Sequence, residues 1–204
     1  MDEFLIYLRL GFDHITDPGG YDHILFVIAL CAVYTLQQWR QVLILVTAFT
    51  IGHSITLALA TLQLIHYKTE LIELLIPITI LITAIVNFFF QDSKASTNKT
   101  SAINQSGRYV LALSFGLIHG MGFSNYLRSL LGREVSITQP LLAFNIGLEL
   151  GQLVIVGIVL TLTYVVLTII RSSRLRWTLI VSGIVAGMAL SLIVNNEYLG
   201  ELIK

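Results

Sequence analysis

The sequence predicts an all-α membrane protein, a bundle of about six transmembrane helices preceded by a short N-terminal interfacial segment. Three observations carry that prediction. Of 204 residues, 55% are hydrophobic and only 12% charged, and the mean hydropathy of +0.82 lies far above that of an ordinary soluble domain. Six apolar stretches have lengths near the roughly 20 residues needed to cross a hydrocarbon core about 30 Å thick. Basic residues gather in the connections between those stretches, as they do in multi-pass proteins.

Residues 4 to 12 come first. They mix Phe4, Leu5, Ile6, Leu8 and Leu10 with Arg9, and are too short to span, which suits a helix lying at the membrane surface. The break at Pro18-Gly19-Gly20 separates this segment from the first span. The start of the chain is acidic and carries no small-residue cleavage pattern, so no signal peptide is expected. Spans are expected over 21–38, 41–64, 70–90, 107–127, 140–170 and 177–199, within one domain covering 1–204. The fifth is long enough to tilt or to project beyond the membrane. Most connections are short, Gln37 to Arg40 being the tightest, so neighbouring helices should pack antiparallel. The polar stretch from Gln91 to Ser106 reads as a flexible surface loop. Its sequon matches at Asn98 and Asn104 are best explained by chance in so polar a segment.

Charge placement sets the orientation. One set of loops holds Arg40, Lys94, Lys99, Arg108, Arg171, Arg174 and Arg176; the other holds Arg9, Lys68, Arg128, Arg133 and Lys204. The richer set should face the cytoplasm, which places both termini outside a bacterial-type cytoplasmic (inner) membrane. Formal net charge is zero, so no nucleic-acid partner is indicated. Cys31 is the one cysteine, which excludes a disulfide framework or a multi-thiolate metal site within one chain.

Ionisable side chains inside a span cost roughly 2.5 kcal/mol or more each and should face a partner or a cavity. Asp22 and His23 begin the first span, His53 lies in the second, Glu73 near the start of the third, His119 in the fourth and Glu149 in the fifth. Spans two and four enter from the same side, and His53 and His119 each lie about 12 residues, or roughly 18 Å, beyond the expected starts. Glu149, entering from the other side, reaches a similar plane, whereas Asp22, His23 and Glu73 lie nearer the outer mouth. Imidazole and carboxylate donors of this kind suit Ni²⁺, Co²⁺ or Zn²⁺; Ca²⁺ and Mg²⁺ prefer oxygen alone. Thr50, His53 and Thr56 share a broad polar face, and Asn145, Glu149 and Gln152 form a narrower stripe, supplying amides and hydroxyls to orient ligands or line a path. Gly116 and Gly120 bracket His119, and Gly147 and Gly151 bracket Glu149, in spacings that favour close helix packing.

Blander readings stand beside these. A lone intramembrane His can simply hydrogen-bond across helices, Glu73 is near enough to the surface to be an interfacial carboxylate, His66 reads as solvated, and Asp13 and Asp17 read as turn or capping residues. A transporter is the leading expectation. Two alternatives remain open: a zinc-dependent intramembrane hydrolase acting on a lipid, and a haem-binding or assembly protein using His53 and His119 as axial ligands.

The segments GFDHI at 11–15, GYDHILF at 20–26, FTIGHSITL at 49–57, FGLIHGMGF at 115–123 and FNIGLELGQ at 144–152 together resemble the HupE/UreJ family of nickel or cobalt permeases. The resemblance implies metal transport and gives His14, Asp22, His23, His53, His119 and Glu149 as site positions. An ion from outside would first meet His14, Asp22 and His23, then pass to His53, His119 and Glu149. The partners expected are a divalent Ni, Co or Zn ion and the lipid bilayer, with homo-oligomerisation left open.

Overall fold

A computed structural model describes residues 2–89, 105–131 and 137–202. The helices among them are α1 (Glu3–Thr16), α2 (Asp22–Cys31), α3 (Trp39–Thr61), α4 (Thr69–Phe88), α5 (Gln105–Leu131), α6 (Thr138–Tyr164), α7 (Arg174–Val194) and α8 (Glu197–Leu202). Most of the expected polar loop, with Asn98, Asn104, Lys94 and Lys99, lies outside the described residues, as do Arg133 and Lys204. No strand occurs among the described residues, and the all-α membrane class holds.

Among the described residues, five helices are long and apolar enough to cross a bilayer: α3 with the turn before it, α4, α5, α6 with its extension, and α7. The stretch 21–38 differs from the span expected there. It contains the ten-residue α2, only about 15 Å long, followed by non-helical backbone and the short turn Leu36–Gln38. Side chains of other helices make this early end tolerable. Asn87 Nδ2 of α4 donates to the Ala29 carbonyl at 2.8 Å, Thr178 Oγ1 of α7 to that of Ala32 at 3.0 Å, and Arg174 Nη2 to that of Val33 at 2.5 Å. Irregular backbone at membrane depth survives only where protein supplies partners of this kind. The long fifth segment unwinds at its end into a π-helical turn, Val165–Ile169.

The break before α2 forms where the sequence places it. Asp17 Oδ1 accepts from Gly19 N–H at 2.8 Å, capping the turn at Pro18–Gly20. Asp13 does not cap; it pairs with Arg9 one turn back on an exposed face, 3.4 Å apart.

Helix directions follow from paired contacts. At one end of the α4–α5 pair, Asn125 Nδ2 donates to Thr69 Oγ1; at the other, Arg108 Nη1 donates to Asn87 Oδ1, so the two run antiparallel. Tyr34 bonds to Gln105, and Trp177 Nε1 donates to Thr163 Oγ1. The starts of α3, α5 and α7 therefore share one end of the bundle, here the basic end, with Arg40, Arg108, Arg174 and Arg176. The starts of α1, α4 and α6, and the end of α7, lie at the opposite end.

Two helix pairs touch backbone to backbone. On α3 and α5, a Cβ at Gly52 would collide with the Leu113 carbonyl, and one at Gly116 with the Phe49 carbonyl. Glycine is required for that approach, and the contact fixes the register of the two parallel helices. The same device joins α1 to α6, where a Cβ at Gly11 would strike the Phe144 carbonyl and one at Gly147 the Leu8 carbonyl. The N-terminal helix is thus sealed along Tyr7, Gly11 and Ile15, while Leu5 and Ile6 stay exposed. Gly116→Leu should destabilise the bundle by about 1–3 kcal/mol through overpacking, read as a lowered melting temperature in detergent. Gly187→Leu, placed in open space, should leave that temperature unchanged.

Candidate metal centre

Four histidines from four helices converge. His53 and His119 each lie 14 residues beyond the first residue of their helices, at Trp39 and Gln105, so parallel packing brings them to one level. A Cβ at Gly116 would abut His53 N, and one at Gly120 the His53 carbonyl. These two glycines hold the backbones of both histidine-bearing turns together. His23, at the start of α2, places its ring centroid 5.2 Å from that of His119 and 6.2 Å from that of His53. His14, near the end of α1, lies 4.6 Å from His23 and 6.3 Å from His53.

Such spacings match the scale of shared coordination. An ion about 2.1 Å from a ring nitrogen lies about 3.2 Å from that ring's centroid, so two imidazoles on one ion have centroids about 4.6 Å apart at right angles and about 6.5 Å apart when opposed. The rings meet edge to face or tilted. In this conformation no group of three or more His, Cys, Asp or Glu among the described residues stands in ligating geometry. Closing on an ion therefore requires the rings to turn.

Five ring nitrogens are buried without a hydrogen-bond partner among the described residues: His14 Nε2, His23 Nε2, both nitrogens of His53, and His119 Nδ1. His53 and His119 are fully buried and His23 is 5% exposed. Where a partner exists, it turns a bare nitrogen inward. Asp22 Oδ1 accepts from His23 Nδ1–H at 3.0 Å; a carboxylate can only accept, so the lone pair of His23 is on Nε2.

The surroundings differ between the two ends. Toward the end away from the basic residues, one cavity of about 470 Å³ is lined by Asp22, Glu70, Glu73 and Asn195, and another of about 610 Å³ by Asp13, His14, Asp17 and Phe123. Toward the basic end, Phe26 and Phe49 pack on His119 at 5.1 and 5.2 Å and on each other at 4.8 Å. Phe115 adjoins Phe26, and a cavity of about 20 Å³ lies beyond.

The remaining expected residues fall elsewhere. Glu149 is not among the rings: its Oε1 accepts from Thr47 Oγ1 at 2.7 Å, and Thr47 lies six residues, about 9 Å, below His53 along α3. Thr50 donates to Gln152 Oε1 at 2.9 Å, and Gln152 Nε2 is buried without a partner among the described residues. Thr50, Gln152, Thr47 and Glu149 thus make a polar seam between α3 and α6. Thr56 bonds to carbonyls of its own helix, and so does Asn145, through Leu141. Glu73 is exposed on a cavity wall. Sequence reasoning missed Thr79, whose hydroxyl lies 3.0 Å from His119 Nε2. The signal was a stripe of Thr79, Thr83 and Asn87 at intervals of four on the otherwise apolar stretch of α4 that follows Glu73, all buried.

A family model described as HupE / UreJ protein matches residues 1–196. The chain belongs to the HupE/UreJ family. The match spans nearly the whole chain, so helices α1 to α7 are all family structure, and membership implies a membrane protein concerned with nickel or cobalt transport. Among curated proteins and among solved structures, nothing matches the chain.

The geometry separates the histidine cluster from the seam. His23→Ala, His53→Ala and His119→Ala should each weaken Co²⁺ binding by the detergent-purified protein roughly tenfold or more, whereas Glu149→Gln should change it by less than about threefold. Titration followed by the cobalt absorption bands measures the difference.

Proposed function

We propose that this HupE/UreJ protein is a transition-metal permease for Ni²⁺ or Co²⁺, with Zn²⁺ as a third candidate, and that His14, His23, His53 and His119 form its ion-binding site. One observation carries the reading: imidazoles from four separate helices meet with five ring nitrogens unpartnered among the described residues, beside one cavity that His14 lines and another that Asp22 lines. Nitrogen donors select borderline ions over Ca²⁺ and Mg²⁺.

In this reading the basic end faces the cytoplasm, since Arg40, Arg108, Arg174 and Arg176 gather there. Both described ends of the chain then face outward across the inner membrane. A hydrated cation enters beside Asp22 and Glu73, whose carboxylates raise its local concentration. It loses water to the four imidazoles. Its onward route is the seam of Thr50, Gln152, Thr47 and Glu149, where Glu149 receives the ion once the ring cluster releases it. Asn145 and Thr56 support α6 and α3 beside that route. Conduction needs binding strong enough to replace hydration and weak enough to let go; moving from all-nitrogen donors to one carboxylate provides such a step.

Cells producing the protein should accumulate nickel or cobalt several-fold above cells lacking it, and His53→Ala should abolish the gain at equal expression. Glu149→Gln should lower accumulation while leaving binding nearly intact. Unchanged content of both metals, with the protein well expressed, would sink the permease reading. A tightly held zinc with lipid hydrolysis, or a haem spectrum in purified protein, would replace it with one of the two other readings.

A further inference from the structure

We propose that Thr79 is a positioning residue: it fixes His119 as the Nε2–H tautomer and so presents Nδ1 as the ligating atom. The inference rests on the metal-binding reading above and adds a residue and an atom to it.

The argument is one of proton counting. Thr79 is 2% exposed, and its hydroxyl has one proton to give. That proton goes to the carbonyl of Ile76 on the same helix, at 2.7 Å. The same oxygen lies 3.0 Å from His119 Nε2. With its hydrogen committed, the oxygen can only accept there, so Nε2 must carry the hydrogen. A neutral imidazole has one hydrogen and one lone pair, and the lone pair is then on Nδ1. That nitrogen is buried and has no partner among the described residues.

His23 is handled in the opposite sense. Asp22 takes its Nδ1–H, leaving Nε2 bare. Two neighbouring rings, 5.2 Å apart, therefore offer different nitrogens, each chosen by the group behind the ring. A second partner of this kind orients a ligating histidine and raises its basicity, and its loss commonly costs 10- to 100-fold in metal affinity. A hydroxyl does so without adding a negative charge, so the His119 side stays neutral where the His23 side carries a carboxylate.

Two measurements test this. Nitrogen-15 NMR of histidine-labelled wild-type protein in detergent, with the His119 signals identified by their absence in His119→Ala, should show Nε2 protonated and Nδ1 bare before metal is added. Protonated Nδ1 would overturn the proposal without reference to any variant. In Co²⁺ titrations, Thr79→Val should bind 10- to 100-fold more weakly than wild type, while Thr79→Ser, which retains the hydroxyl, should bind within about threefold. Wild-type affinity in Thr79→Val would also overturn it. Should Thr79→Val fail to fold, the wild-type tautomer and the affinity of Thr79→Ser still decide, a tenfold loss in the latter counting against. If wild-type protein binds neither cobalt nor nickel, the permease reading fails on its own account and the tautomer measurement still decides the hydrogen bond.

Discussion

Burying a ring nitrogen without a partner costs about 1–3 kcal/mol, and five such nitrogens meet in the middle of this bundle. A cluster so poorly satisfied has to be held by packing around it. The backbone contact of α3 with α5 at Gly52 and Gly116 sets His53 and His119 side by side. The contact of α1 with α6 at Gly11 and Gly147 brings His14 against the Phe144 and Phe123 rings. Phe26 and Phe49 close on His119 from below. Each device relies on close contact rather than on hydrogen bonds, so the imidazoles are positioned while their lone pairs stay uncommitted.

That arrangement is also lopsided along the bundle axis. From one end a cavity reaches His14 and another reaches Asp22, the partner of His23, while three phenylalanines fill the space on the other side. A bare ion cannot cross packed aromatic rings without partners, since the cost of an unsolvated charge in an apolar medium is many kcal/mol. The α3–α6 seam passes beside that aromatic layer and carries two hydroxyls, an amide and a carboxylate. Polar groups in such a place are expensive, and here they lie in line between the rings and the basic end.

Much of this was legible in the sequence, though unevenly. The matching depth of His53 and His119 follows from counting residues along two helices entering from the same side, and it survives because both helices start within two residues of the expected positions. The depth of His14 and His23 was misjudged. The expectation placed them at an outer mouth, whereas their rings adjoin those of His53 and His119. The reason is physical: hydropathy alone cannot distinguish a continuous span from a ten-residue helix whose freed carbonyls are taken by Asn87, Thr178 and Arg174. Thr79 escaped notice because a threonine in an apolar run ordinarily bonds back to its own helix, as this one also does. Glu149 meets Thr47, about 9 Å below His53 along α3, since counting depth along a helix says nothing about which side of it a residue occupies or how far its side chain reaches.

The shortness of α2 has a consequence for charge. A helix start carries roughly half a positive charge, which disfavours a cation, and α2 starts inside the cluster with His23 in its first turn. Asp22 stands at that same point, accepting from both His23 N–H and His23 Nδ1–H. Its carboxylate therefore offsets the helix end and selects the His23 tautomer at once, from a position that also lines the cavity past Glu73. A full-length first span would have carried this helix start to the membrane surface and left the central site with two imidazoles instead of four. Breaking the helix early is what allows α1 and α2 to deliver His14 and His23 to the same depth as His53 and His119.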